Sequence, residues 1–148
     1  MLTLVMNLSS ILVPVYGHAS DKQVVKLACE LLKPSDGRLF IIYIIEINRS
    51  LPIDSALPNE VIKGDNVLKL MESLAEKSKH QVKAELIQAR EAGYAIVQEA
   101  AQRKVDGIVM NMPELKRFGK FDLGKTSTYV LKNAGCNVVL WRDEITTK

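Results

Sequence analysis

The chain has 148 residues, a formal net charge of +3, and 47% hydrophobic, 25% charged and 5% aromatic residues. Such a chain is one globular domain, long enough to bury most of its apolar surface without staples. The balance is that of a globular and not a disordered chain, and so mild a charge with so few rings argues against a nucleic-acid surface.

Ser10–Val15 is a short apolar run, and the loop Tyr16–Ser20 contains Gly17. The residues before it, in MLTLVMNLSSILVPV, offer neither a basic segment nor a small-residue cleavage site, so no signal peptide is expected. Ser20 or Asp21 is expected to cap a helix whose apolar face is Val24, Val25, Leu27, Ala28, Leu31 and Leu32. Pro34–Gly37 reads as a turn. Leu39–Ile45 is continuously apolar and β-branched, as a strand covered on both faces would be. Asn48–Asn59 holds Pro52 and Pro58 and no period, so it reads as a loop. A second helix is predicted over Glu60–Lys79, with Val67, Leu68, Leu70, Met71, Leu74 and Ala75 inward. His80 at its end is expected to be solvated.

Val82, Ala84, Leu86 and Ile87 suggest a third strand, and Ala92–Lys104 a helix with Ile96, Val97, Ala100 and Ala101 on one face. Gly107–Met110 is a fourth strand. A basic loop follows, then a helix over Ser127–Asn133, a strand over Val138–Trp141 and a polar tail, Arg142–Lys148. No run approaches the ~20 apolar residues that a membrane-crossing helix needs. Strands alternating with helices predict an α/β fold: an open, doubly wound, five-stranded parallel sheet with four helices, in a single domain with its core at about 10–142. Cys29 and Cys136 lie far apart with no metal-ligand spacing, and are expected to be reduced residues in or near the core, as suits a cytoplasmic protein.

In such a sheet ligands sit beyond the carboxyl ends of the strands where strand order reverses. With the first strand central and the fourth beside it, the crevice is lined by Val15–His18 and Asn111–Glu114. Gly119–Thr126 spells the phosphate-loop pattern G-x-x-x-x-G-K-[ST]. Three features argue against a true phosphate-loop NTPase. Residues 113–118 separate the strand from Gly119, the loop holds Phe121, Asp122 and Leu123 where small residues are needed, and no later strand ends in an Asp for Mg²⁺. The plainer expectation is a helix capped by Thr126 after a glycine turn. Lys116, Arg117, Lys120 and Lys125 make this loop basic, and Phe118 and Phe121 are candidate partner anchors. Neither His18 nor His80 has the neighbours of a catalytic triad or a metal site, so no metal is expected.

Three segments together resemble the universal stress protein family. They are Ile11–Val15 followed by Tyr-Gly-His, Asp106–Met110, and Leu123–Leu140 with its Gly-Lys-Thr-Ser-Thr-Tyr-Val-Leu-Lys-Asn-Ala-Gly-Cys-Asn-Val-Val. The resemblance covers about Ser10 to Arg142 and implies a Rossmann-like, adenine-nucleotide alpha hydrolase-like fold, often a homodimer through the last strand. Nucleotide-binding members carry G-x2-G-x9-G-[ST] after the fourth strand and an Asp after the first. Here the first two glycines fall on Asn111 and Glu114, the third on Gly124, and the hydroxyl position on Lys125, with Thr126 and Ser127 next to it. The Asp falls on Tyr16 and the Ser that follows it in the family on His18. The adenine-side positions are Pro14, Tyr16 and Ile44. The resemblance therefore implies a non-enzymatic stress-response binding or regulatory domain, its crevice altered, with ATP or another adenine nucleotide as the candidate ligand. One alternative is the cytoplasmic regulatory domain of an amino-acid or cation transporter. Another is an ATP-hydrolysing switch using Lys125 and Thr126.

Overall fold

The computed structural model describes residues 7–112 and 123–143 in full, and the backbone of 115–117 and 120–122. The elements in chain order are β1 (Ser10–Val15), α1 (Asp21–Leu31), β2 (Arg38–Glu46), α2 (Pro58–Glu76), β3 (Gln81–Ala89), α3 (Ala92–Arg103), β4 (Gly107–Asn111), β5 (Leu115–Arg117), β6 (Lys120–Asp122), α4 (Gly124–Asn133) and β7 (Asn137–Trp141). Five of the strands form one parallel sheet in the order β3-β2-β1-β4-β7, the arrangement expected from alternating strands and helices.

Residue alternation along the central strands builds two cores. Ile11, Val13, Val15, Ile41, Tyr43 and Val109 pack against α1 and α2. Leu12, Ile42, Ile108 and Met110 face the other way, toward Ile96 of α3 and Val130 of α4. The β1–β2 register sets Val13 beside Ile41 and Pro14 beside Ile42. Pro14 lacks an amide hydrogen.

At the amino edge Asp106 ties three strands together. Its Oδ2 accepts the backbone N–H of Ser9 at 2.6 Å and of Ser10 at 3.2 Å, and its carbonyl accepts that of Asn137 at 3.2 Å. The Asp of the Asp106–Met110 segment is thus a structural pin. On the outer side of β3, Arg103 reaches Glu99 and Glu85 at 2.9 Å each and lies 5.0 Å from the centre of the Phe40 ring. The Lys83 and Arg103 hydrogen bonds hold the Glu85 carboxyl below its usual range.

Several expectations are corrected. On α2 the packed stripe is Gly64, Leu68, Met71 and Ala75, a four-three-four spacing, so Leu70 points outward at 58% exposure. Ala101 likewise lies exposed beside the Ile96–Ala100 face of α3. His80 is half-buried: Nδ1 lies 2.8 Å from Ser78 Oγ and Nε2 3.1 Å from the Lys33 carbonyl. α4 begins at Gly124, earlier than the apolar period reveals, because Gly124 at φ 79° turns the chain into the helix. Thr126 therefore sits inside the first turn and does not cap it. The segment read as a basic loop contains an antiparallel pair, β5 with β6, which its short charged strands did not advertise. Pro113, Glu114, Phe118 and Gly119 lie outside the described residues, as do 144–148 of the tail; Arg142 and Asp143 are exposed, as expected. Cys29 and Cys136 are free and half-buried, and burial pushes both thiols up.

Gly64 brings α2 onto the sheet. A β-carbon there would stand 2.7 Å from both Tyr43 Cδ1 and Leu86 Cδ1. Gly64→Val is expected to destabilise the fold by about 2 kcal/mol. A denaturation midpoint lowered at unchanged m-value would show it.

Candidate functional site

The chain crosses from one side of β1 to the other between β3 and β4, which makes the carboxyl ends of β1 and β4 the switch point of the sheet. The turn after β1 is organised by Asp21. Its Oδ2 accepts backbone N–H groups from Tyr16 at 3.2 Å, Gly17 at 2.8 Å and His18 at 3.2 Å. Gly17 at φ 79° lets these amides converge. Burial pushes the Asp21 carboxyl up, and its three backbone donors pull it partly back. The expected cap is therefore different in kind. Ser20 occupies the N-cap position without a side-chain cap bond, and Asp21 works backward on the turn.

Ser20 has other partners. Its hydroxyl lies 2.7 Å from His18 Nδ1 and accepts a hydrogen bond from Asn111 Nδ2. Ser20 and Asn111 are 2% and 1% exposed, whereas the His18 side of the chain is open to solvent.

Strand alternation divides the candidate residues. Pro14 follows Val13, which faces α1 and α2, so Pro14 lies on the α3/α4 side. Ile44 packs against the α3/α4 core as well. Asn111 follows Met110 of that core, and its side chain instead reaches the N-terminus of α1. It does not occupy the space beside Pro14 and Ile44. Gly124, Lys125, Thr126 and Ser127 form the first turn of α4, with Ser127 buried, Thr126 half-buried and Lys125 exposed. That turn has neither a side-chain cap nor an acidic residue, so its backbone donors favour an anion.

Charge around this edge is largely paired. Glu46, at the end of β2, accepts the Ala92 N–H at the start of α3 at 3.4 Å. Glu91 lies 3.5 Å from Arg49 and 3.8 Å from Lys125, binding the β2–α2 loop to the head of α4. Arg90 holds the same loop through the carbonyls of Asn48 and Leu51, 2.7 Å each. Tyr16 is half-buried, and burial, then Asp21, then Glu46 push its phenol up, so it stays a neutral donor and acceptor. Among the described residues no cluster of His, Cys, Asp and Glu is placed to hold a metal ion.

Glu46, Glu91 and Arg49 were not among the residues singled out in the sequence. They meet only because β2, α3 and α4 converge, and no spacing signals that. Asp21 was legible as a helix-start residue. Its position four residues after Gly17 is the one local hint of the turn it closes.

The sequence profile described as "Universal stress protein family" matches residues 7–142. Universal stress protein MJ0531 of Methanocaldococcus jannaschii is 27% identical over 136 residues, which is 88% of this chain and 79% of that one. The solved hypothetical protein MJ0577 superposes with a TM-score of 0.76 at 17% identity, covering 97% of this chain and 100% of that chain. The universal stress protein of Archaeoglobus fulgidus in complex with dAMP gives 0.72 at 15% identity, covering 93% and 98%. At these identities the structural likenesses establish the fold.

Removing the Asp21 carboxylate would leave three converging amides unmet. Asp21→Ala is expected to cost about 2–3 kcal/mol. Hydrogen exchange should localise the loss to residues 16–21; unchanged protection there would contradict the role given to Asp21.

Proposed function

The chain belongs to the universal stress protein family, and from that premise we propose that it is a non-catalytic regulatory module whose adenine-nucleotide crevice has changed its terms of binding. The observation that carries this reading is Tyr16. A neutral, half-buried phenol beside Glu46 stands where the family's nucleotide-binding members carry an Asp. The apolar side chains of Pro14 and Ile44 support this reading, as does the first turn of α4 at Gly124–Ser127, which holds no acidic residue and takes no side-chain cap bond from Leu123. The Lys125 charge that would greet a phosphate is shared with Glu91. Asn111 replaces a family glycine, yet its side chain leaves the crevice, so its backbone is as approachable as a glycine's on that side.

A relative of the same fold was solved with dAMP, which supports an adenine nucleotide as the ligand class to test. The reading expects a weakened preference for ATP. Regulation would then run through ligand occupancy or a partner, either a second copy or a membrane transporter on whose cytoplasmic side the domain works. No described helix is long and apolar enough to cross a membrane.

Titration calorimetry with ATP, ADP, AMP and cyclic nucleotides tests the crevice. Wild-type protein should bind ATP more weakly than micromolar. Tyr16→Asp combined with Glu114→Gly should tighten ATP binding by about tenfold, or ~1.4 kcal/mol. Micromolar ATP binding by the unaltered chain would overturn the reading. Turnover of ATP that disappears in Lys125→Ala would favour a hydrolytic switch in its place.

The proposed homodimer uses β7. It is an edge strand of the sheet, and Val138, Val139, Leu140 and Trp141 are each only half-covered. Unpaired backbone groups on such an edge invite a second copy. Sedimentation equilibrium is expected to give a dimer; a monomer at all concentrations would remove this element of the proposal.

A further inference from the structure

The contacts of His18, Ser20 and Asn111 constrain where their protons are. His18 Nδ1 accepts the Ser20 backbone N–H at 3.2 Å, so that nitrogen carries a lone pair. The Ser20 hydroxyl, 2.7 Å from the same nitrogen, must then donate its single proton to it. Ser20 Oγ is left as an acceptor, so the buried amide facing it presents Nδ2, as observed. The remaining atom, Asn111 Oδ1, is buried and has no hydrogen-bond partner among the described residues. Donor counting thus gives the chain of bonds one direction, from Asn111 through Ser20 to His18, and places the ring proton of neutral His18 on Nε2.

From this geometry we propose that the three residues form a proton-linked relay, in which protonation of His18 at the surface reverses the bonds and turns the buried Asn111 amide at the end of β4. With a proton on Nδ1, His18 becomes the donor to Ser20 Oγ. The hydroxyl proton then swings toward Asn111, which must rotate by half a turn to offer Oδ1. The orphaned acceptor gains a donor, while Asn111 Nδ2 gives up its bond to Ser20 Oγ and the Ser20 backbone N–H loses its acceptor. The change occurs where the β4 backbone borders the crevice, so solvent acidity reaches that edge through side chains alone.

The charged and titratable groups around His18 come from α1, α2 and the turn itself. Asp21 of α1 accepts the His18 backbone N–H. Lys63 of α2 lies against Gly17 in the same turn. Tyr16 precedes it in the turn, and β4 contributes the neutral Asn111.

The relay is read in ligand-free protein, so its fate and that of the nucleotide reading are separable. Nitrogen-15 and proton NMR across the histidine titration is the test, with the two histidines assigned by signal loss in His18→Asn. In wild-type protein the Asn111 side-chain amide signals should shift with the same midpoint as the His18 ring. In Ser20→Ala they should stay still. Neutral His18 should show the Nε2–H tautomer, a readout needing no variant. Asn111 signals indifferent to His18, equal co-titration in Ser20→Ala, or an Nδ1–H tautomer would each overturn the relay.

Discussion

In this sheet every residue of a central strand must choose a side, and the choice is made by parity alone. Ile11, Val13 and Val15 go to α1 and α2, while Leu12 goes to α3 and α4. The same rule sends Pro14 and Ile44 to one side and Asn111 to the other, although the three lie within the same edge. The candidate crevice is consequently a property of one face. The Asn111 side chain leaves that face unblocked because the strand ends on the opposite parity.

The electrostatics follow from where the loops leave the sheet. Asp21 gathers the amides of the first turn, Glu46 meets the head of α3, and Glu91 sits between Arg49 and Lys125. Donors that could otherwise serve an anion are already engaged at three of these places. The first turn of α4 carries no acidic residue and no side-chain cap bond from Leu123, and its Lys125 shares Glu91 with Arg49. Exposed pairs such as those of Glu91 contribute little to stability. Their effect here is to set the charge at the edge of the candidate crevice.

The fold was legible because long apolar runs such as Leu39–Ile45 and the helical stripes between them have strong periods. The β5–β6 pair escaped because three-residue strands rich in charge have no period to read. The start of α4 was missed because Gly124 enters the helix through its backbone and not through an apolar side chain. At the candidate site, Tyr16 and the Gly124–Ser127 turn were singled out from strand ends and the phosphate-loop spelling, and Pro14 and Ile44 through the resemblance. The partners that tune them, Glu46 and Glu91, are remote in sequence and act through packing. The direction taken by Asn111 needed the register of β4, which ±1 uncertainty in a strand end reverses.

Asp106 joins the amino end of β1 to a point 96 residues further along the chain. β1 precedes the other strands in the chain yet belongs in the middle of the sheet, between β2 and β4. During synthesis β1, β2 and β3 can come together, but one flank of β1 stays open and its amino end unpinned until β4 arrives. Until β4 emerges, the nascent chain thus presents β1, a strand buried along its whole length in the finished fold, as an edge. The aspartate that pins β1 directly precedes the strand that closes its open flank.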